Sequence, residues 1–270
     1  MTNERIALGK GPGLERLPRG STARHAERTS AEETYKLARY AKQFVVDEQD
    51  IIDDRLNALM EMPTEMGEAA ARLRPDLVYA LLLANAALGA DSIALFHASS
   101  HGANKITTAL AAAALKAGIT AMAKQTDNSV NLNLRPRFLI VPHDLWFTAA
   151  EILKPAGVMA KGNTDVTMIP TYNSLGDEDI TIIRDNRIGA AGVTDPATQT
   201  AYTGSAAYWF LSAGPRRTLV VGYRSGTGRR PQVRSFILNQ GQWGIGWDIS
   251  HDIGTKALDF RGLFWSTGAG

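Results

Sequence analysis

Two histidines stand four residues apart in the segment ALFHASSHGANK, residues 94–105. On an α-helix this spacing would place the imidazoles of His97 and His101 on one face, where they could share a metal ion. A zinc site needs at least a third ligand, and the paired histidines of a zinc protease helix have a glutamate between them. The residues between these two are Ala, Ser and Ser, and Gly102 follows directly. We therefore expect no metal site here.

The remaining histidines and the glycine-rich segments also match no common catalytic motif. His143 lies between Pro142 and Asp144, and His251 precedes Asp252; an imidazole beside a carboxylate is commonly structural, so we expect hydrogen-bonded structural or surface histidines. No GxSxG elbow or Walker-type loop occurs, and the glycines of GYRSGTGRR lack the following helix that a phosphate-binding loop needs. We therefore predict no catalytic, cofactor-binding or metal-ligating residue and no enzyme. A metal-dependent hydrolase is the alternative from another class.

The composition is typical of a soluble globular chain. Of the 270 residues, 44% are hydrophobic and 21% are charged, and the formal net charge of +2 argues against a dedicated polyanion-binding protein. The lack of cysteine excludes disulfides, thiolate metal sites and a cysteine nucleophile. No signal-peptide core is present, and the longest apolar run, residues 77–88, is too short to cross a bilayer. We expect an intracellular product with no membrane partner.

Charge is distributed unevenly along the chain. Residues 47–68 contain eight acids and one arginine, whereas residues 216–234 contain six arginines and no acid. Two such surfaces could attract each other between copies of the chain. The alternative is that both segments are solvated surfaces without a partner. Our candidates for intersubunit charges are Asp53, Asp54, Arg229 and Arg230.

Helix signals lie mostly in the first half of the chain. Residues 1 to about 30 are rich in Gly, Pro, Arg and Ser, which predicts an extended or disordered arm. A buried helix is expected from Pro63 through LVYALLLANAAL, and Pro75 either opens a second helix or kinks one long helix. Another helix is predicted over residues 107–124, with Thr107 or Thr108 as its cap and Gly118 as a weak point.

Strand signals dominate the second half. RFLIV at 137–141 predicts a strand that Pro142 stops, and Asp144 could then cap the helix DLWFTAAEILK, ended by Pro155. Further strands are predicted over residues 179–183, 208–213, 218–223 and 233–238. In WGIGWDI, large apolar residues alternate with Gly and Asp, a period of two that indicates a half-buried strand. This segregation of helices and strands favours the α+β class.

Four segments resemble, in order and spacing, the major capsid proteins of tailed phages, particularly those also found fused behind a ClpP-like prohead protease. They are residues 53–85, ALFHASSHGAN at 94–104, LNLRPRFLIVP at 132–142 with the AAEIL that follows, and WDISHDIGTKALDFRGLF at 247–264. The segment HASSHGAN is one residue longer than is usual in the family, and Asp-Ile-Gly stands where Asp-Phe-Gly is common. The protease half is absent, so protease activity is not carried over. The two histidines would then shape a loop in a shell subunit.

The resemblance implies the Hong Kong ninety-seven type fold, an α+β phage major capsid fold. Residues 1–30 would form the N-terminal arm and 31–60 the extended-loop region. Residues 61–92, with the spine helix, and 216–270 would form the peripheral domain, and 93–215 the axial domain. The motif positions expected to have structural roles are Arg135, Pro136, Pro142, Asp252, Gly254, Asp259, Arg261 and Gly262.

The function that this resemblance implies is self-assembly into the icosahedral shell that encloses phage DNA, as part of the virion. The main partner would be the chain itself, in hexameric and pentameric capsomers built in the host cytoplasm. Portal, scaffold or decoration proteins are possible partners, and packaged DNA would be contacted non-specifically. An encapsulin-like nanocompartment shell is the alternative with the same fold.

Overall fold

The structure, a computed structural model, describes residues 2–8, 30–53, 61–154, 157–161, 168–214, 218–226 and 229–269. The helices of this part of the chain are α1 (Glu48–Asp53), α2 (Met62–Ala84), α3 (Ala112–Ala123) and α4 (Trp146–Leu153). The strands are β1 (Thr2–Leu8), β2 (Ser30–Lys36), β3 (Ala38–Asp47), β4 (Lys105–Ile106), β5 (Thr126–Asp127), β6 (Val130–Asn131), β7 (Pro136–Val141), β8 (Gly157–Lys161), β9 (Met168–Tyr172), β10 (Thr181–Arg184), β11 (Val193–Thr194), β12 (Ala201–Tyr202), β13 (Trp209–Ala213), β14 (Leu219–Tyr223), β15 (Gln232–Ile237), β16 (Gly244–Ala257) and β17 (Leu263–Ser266).

Helix α2 is the long helix that the sequence predicts, and Pro75 lies inside it. Its 23 residues form one helix roughly 35 Å long, so Pro75 does not open a second one. The helix ends at Asn85, three residues before the end of the predicted apolar run, with left-handed backbone. Both atoms of the Asn85 amide bond to the backbone of Phe96, which turns the chain away from the helix axis.

Strand β16 organises one of the two main sheets, which we call the long sheet (β3, β14, β15 and β16). It pairs antiparallel with β3 on one side, and with β15 and then β14 on the other. Helix α2 packs on one face, where Met66 and Leu73 lie close to Phe44 and Ile249. The strand predicted from WGIGWDI is confirmed, but its apolar face is buried only at Ile249 and beyond, because α2 does not cover the beginning of β16.

The second main sheet, the mixed sheet, has the strand order β10, β7, β13, β17, β4. Its central strand β13 is buried on both faces: Trp209 and Leu211 face a core with α3 and α4, whereas Phe210 packs with Phe96 and Trp265 on the other side. The C-terminal end of α2 contributes Leu82 to this second core. The mixed sheet therefore joins the helical layer to the long helix, as expected for the α+β class.

Helix α3 begins later than the sequence predicts. Ala111 is its N-cap and no side chain caps it, so the prediction of a Thr107 or Thr108 cap is wrong. The carbonyl of Thr108 instead accepts hydrogen bonds from Trp209 Nε1 and Ser266 Oγ, which holds this segment extended against the mixed sheet. Gly118, expected as a weak point, is buried where a Cβ atom would stand 3.0 Å from Leu211 Cδ1. The missing side chain lets the helix approach the sheet.

The strand predicted at 137–141 is confirmed as β7, and Pro142 follows its last residue. A short 3-10 turn, His143–Leu145, then leads into α4, whose N-cap is Leu145 without a side-chain cap. The prediction that Asp144 caps this helix is therefore wrong, because the extra turn moves the helix start beyond its reach. The predicted stop at Pro155 lies outside the described residues.

The strands of the N-terminal part of the chain pair in two different places. Within the predicted arm, β1 pairs antiparallel with β2, and residues 9–29 between them lie outside the described residues. The region 31–60 is divided, since β2 belongs to this hairpin whereas β3 is an edge strand of the long sheet. Strand β17 lies in the mixed sheet beside β13, apart from the other strands that follow residue 216.

Candidate functional site

The two histidines of the 94–105 segment lie in a loop and bind different partners. His97 Nδ1 accepts a hydrogen bond of 2.9 Å from the Ser100 N–H, so this imidazole closes its own turn. His101 is buried; its Nε2 lies 2.6 Å from Asp91 Oδ2, and its ring stacks on Phe260 with centroids 3.9 Å apart. Among the described residues, no group of three or more His, Asp or Glu side chains is placed to hold a metal ion.

Asp91 is held in its charged form by this loop. Burial acts to raise its pKa, but hydrogen bonds from the Ile93 N–H and from His101 outweigh burial and lower the pKa below its usual value. The carboxylate is thus a structural partner of the buried imidazole. One oxygen accepts from the Ile93 N–H and the other lies against His101 Nε2, so both oxygens take part in the loop.

Asn104 connects the same loop to the mixed sheet. Its side chain accepts a hydrogen bond from the His97 N–H at 2.8 Å and donates one to the Leu95 carbonyl at 2.9 Å. Its own carbonyl accepts a bond from the Trp265 N–H in β17. The sequence does not predict this role, although Asn104 stands in the HGAN motif, because one of its partners lies in β17, far along the chain.

The C-terminal motif positions Asp259, Arg261 and Gly262 form a turn against the chain near residue 126. Arg261 Nε donates to the Thr126 carbonyl at 2.9 Å, and its guanidinium also pairs with Asp259 and Asp127. Gly262 has φ +84° and donates its N–H to Gln125 Oε1 at 2.7 Å. Phe260 lies between these positions and contacts both His101 and Arg261, so the histidine loop and the C-terminal turn form one junction.

Asp252 and Gly254 lie in the long sheet. Asp252 accepts hydrogen bonds from Arg39 and Arg224, and the contact with Arg39 is the main cause of a pKa lowered to about 2. A Cβ atom at Gly254 would stand 2.4 Å from the Lys36 carbonyl oxygen, so only glycine fits at this crossing. Both positions therefore fix the chain where β2 passes into β3.

The remaining motif positions flank β7. Pro136 is buried at the first residue of β7 and Pro142 is buried directly after its last, so two prolines bound this inner strand. Arg135 is exposed. His143, expected to be structural or at the surface, is exposed.

His251 lies beneath α2 at the edge of an apolar groove of about 410 Å³, which Phe44, Leu73 and Ile249 also line. It is buried, and neither ring nitrogen has a hydrogen-bond partner among the described residues, so the expectation of a hydrogen-bonded histidine is wrong here. Burial, with repulsion from Arg74, lowers its pKa, against the opposing attraction of Asp252.

The structure does not bring the candidate intersubunit charges together within one subunit. Asp53 is exposed at the end of α1, Arg229 and Arg230 are exposed before β15, and Asp54 lies outside the described residues. The β3–β16 register pairs Asp47 with Gly244 and Arg39 with Asp252. Asp252 lies eight residues along β16 from Gly244, about 26 Å at ~3.3 Å per residue, whereas Arg234 lies opposite Asp248, only four residues from Gly244.

A family model described as phage capsid protein matches residues 31–266 of this chain. The chain belongs to the phage capsid protein family. It is a capsid shell protein and a virion component. The family match confirms the resemblance found in the four sequence segments. No curated protein sequence matches the chain.

Solved capsid structures share the fold of this capsid protein. The capsid of cyanophage P-SCSP1u aligns with a TM-score of 0.64 and 11% identity, covering 98% of this chain and 82% of that chain. The mature capsid of bacteriophage PhiM1 aligns at 0.61 with 14% identity, covering 98% and 81%. An encapsulin from Synechococcus elongatus PCC 7942 aligns at 0.52 with 12% identity, covering 89% and 77%. The predicted α+β capsid fold is confirmed.

Proposed function

We propose that this capsid protein assembles through hexameric and pentameric capsomers, in the host cytoplasm, into an icosahedral shell around phage DNA. The observation that carries the proposal is the family match over residues 31–266, together with a fold in which a long sheet and a hairpin accompany the mixed sheet. The experiment is sedimentation of the purified protein: assembly predicts particles of many subunits, whereas a stable monomer under all solvent conditions would contradict it.

We assign the described sheets to the domains that such a subunit would have. The long sheet and α2, the spine helix, would form the peripheral domain, from residues 61–92 and the strands after about 216. The mixed sheet would form the axial domain, mainly from residues 93–215, and β17 is assigned here with it because it pairs with β13. We assign the role of the extended loop to the hairpin of β1 and β2, which includes only the first part of residues 31–60.

The hairpin also supports assembly on physical grounds. Two antiparallel strands are at best marginally stable in water without a partner surface. A neighbouring subunit would supply that surface, and the ordering entropy would be offset only as the shell forms. A closed cage arises when such contacts between unlike surfaces have rotations that close into rings.

We propose no catalytic role for this chain. The polar side chains of the histidine loop are engaged with one another and with the C-terminal turn, as in a structural junction. Packaged DNA would meet the inner surface through salt-sensitive phosphate contacts, and the net charge of +2 predicts that this contact is weak. Portal, scaffold or decoration proteins would be the remaining partners.

An encapsulin-like compartment is the second candidate, because an encapsulin shares the fold over 89% of this chain. The two functions differ in what the shell contains and what joins it. Particles purified from the natural source decide between them: phage DNA and a portal protein support the virion, whereas a packaged enzyme without DNA supports the compartment.

A further inference from the structure

Exposed apolar side chains are concentrated at one end of the long sheet. Of the eight large hydrophobic side chains that are exposed in the described part of the chain, seven belong to this sheet, to α1 or to the turn before β16. Six of these seven lie together where β3 ends and β16 begins, and we call them the apolar end: Val45, Ile51, Ile52, Ile237, Trp243 and Ile245. The surface of a monomeric soluble protein rarely exposes so many large apolar side chains close together.

The apolar end continues a face that is covered elsewhere. Ile245 and Ile249 point to the same face of β16, since side chains alternate along a strand. Ile249 is buried near α2, but Ile245 is 43% exposed and Ile237, its partner across the ladder, is 90% exposed. The helix therefore covers only part of this apolar face, and the uncovered part has the character of an interface.

Acidic side chains flank the apolar end. Asp47, Glu48 and Asp53 are all exposed in the last residue of β3 and in α1. From Gln43 to Asp53 the sequence contains no basic residue. A partner surface should therefore be positively charged and able to make apolar contact.

The face of the same sheet opposite Ile245 and Ile249 carries a basic surface, which we call the arginine cleft: Arg39, Arg224, Arg230 and Arg234 line a cavity of about 610 Å³. Two aspartates, Asp248 and Asp252, also line it, and Asp252 is paired with Arg39 and Arg224. Arg230 is exposed, and no other described residue forms an ion pair with it. Arginine suits an interface of this kind because its long stem packs against apolar groups while its guanidinium binds carboxylates.

Arg234 lies opposite Asp248 and Arg39 opposite Asp252, four and eight residues along β16 from Gly244, so about 13 to 26 Å of strand lies between the cleft arginines and the end of the sheet. We propose that the apolar end of one subunit docks against the arginine cleft of a second copy, with Asp47, Glu48 and Asp53 opposite its arginines. The contact joins two unlike surfaces, so it propagates from copy to copy as a ring or cage requires. This inference rests on the proposed function and names one of the contacts that build the shell.

Site-specific cross-linking tests the contact, because the chain contains no cysteine of its own. Gln49→Cys marks the apolar end and Ser225→Cys marks the arginine cleft; both replace neutral, exposed residues. The two variants are mixed, assembled and treated with a short bifunctional maleimide. We expect a covalent dimer in particles from the mixture that neither variant gives alone. Lys116→Cys on α3, exposed and away from both surfaces, replaces Gln49→Cys in the matched control.

Particle formation is scored separately by microscopy, so failure of the proposed function and failure of this contact are distinguishable. If normal particles form but Gln49→Cys and Ser225→Cys cross-link no more than the control, the proposed contact is wrong. The arginine cleft would then face solvent or DNA. As a second measurement, Trp243→Ser should slow assembly about tenfold, because it removes an exposed aromatic side chain that the contact would bury, whereas Phe147→Ser, at the exposed aromatic outside the apolar end, should not. Equal assembly rates for these two variants would also overturn the contact.

Discussion

Asp252 and Arg39 form a two-point contact across the β3–β16 ladder: Arg39 Nε and Nη2 donate to the two carboxylate oxygens at 2.8 and 3.0 Å. Arg224 Nη1 donates to the same carboxylate at 3.2 Å. One carboxylate therefore joins β3, β16 and the turn after β14. Since β2 leads directly into β3, we infer that this contact fixes the direction in which the hairpin leaves the subunit.

The first prediction concerns acid stability. The pKa of Asp252 is lowered to about 2, chiefly by its hydrogen bond with Arg39. A lowered carboxyl pKa stabilises the folded state above the unfolded value, and this contribution is lost as the pH falls from about 3.8 towards about 2. Asp252→Asn should therefore flatten the decline of unfolding free energy over this range. Denaturant titrations at several pH values measure it; the same slope in the parent and the variant would contradict the account, and Asp144→Asn serves as control.

A second prediction concerns His251 beneath α2. Its pKa is lowered by burial and by Arg74. The unfolded chain then binds a proton more readily, so this residue destabilises the fold as the pH falls below the unfolded value of about 6.5. His251→Leu should remove that part of the pH dependence, whereas His143→Leu, at an exposed position, should leave it unchanged. Thermal melts between neutral and mildly acidic pH compare the three proteins, and identical pH profiles would disprove the assignment.

A third prediction separates structural from metal-binding histidines. Replacing His97 and His101 with Ala should remove no stoichiometric metal and no catalytic activity. His101→Ala should cost about 2 kcal/mol, since it leaves Asp91 and the buried loop without a partner, and His97→Ala about 1 kcal/mol. Metal analysis and denaturant unfolding test both statements. If the parent protein binds about one zinc per chain and the double variant does not, the alternative of a metal-dependent hydrolase would be supported.

The fourth prediction concerns the N-terminal residues. Deletion of residues 1–25 removes β1 and should leave a folded subunit, because the buried clusters of both sheets are formed by later residues. Shell formation should be impaired, since the hairpin loses one of its two strands. Circular dichroism checks the fold and sedimentation checks assembly. Shells of unchanged yield and stability would count against a role for this hairpin between subunits.

The fifth prediction uses the candidate charges. Arg229→Glu with Arg230→Glu should slow or misdirect assembly and leave the melting temperature of the isolated subunit nearly unchanged, because exposed pairs contribute at most about 1 kcal/mol each. Reversing Asp53 and Asp54 to Lys in the same chain should partly restore assembly. Light scattering against salt concentration follows the reaction. Assembly of the arginine variant at the parent's rate in low salt would show that this turn faces solvent.

The sequence was most informative where structure depends on local pattern. Helix α2 and β7 are encoded in apolar runs and are predicted close to their observed bounds, whereas the period-two alternation of WGIGWDI predicts only the first part of β16, which continues to Ala257. The start of α3 was not, because the Thr108 carbonyl is bound by Trp209, 101 residues away. The contact of Asp252 with Arg39 spans 213 residues and has no local signal.

The same limit applies to the candidate surfaces. The charge asymmetry between residues 47–68 and 216–234 is visible in the sequence. The distance between Asp47 and the arginines along the long sheet depends on the registers of β3 and β15 against β16, which no local pattern encodes. The exposure of Ile237 and Trp243 likewise depends on which part of the long sheet α2 covers, and no local pattern encodes that position.

Electron microscopy of the purified protein under assembly conditions tests the central claim most directly. The account predicts closed icosahedral particles in which the mixed sheet surrounds the capsomer centres and the long sheets meet between neighbouring subunits. A protein that stays monomeric, or that forms only open or irregular aggregates across salt and pH conditions, would contradict it.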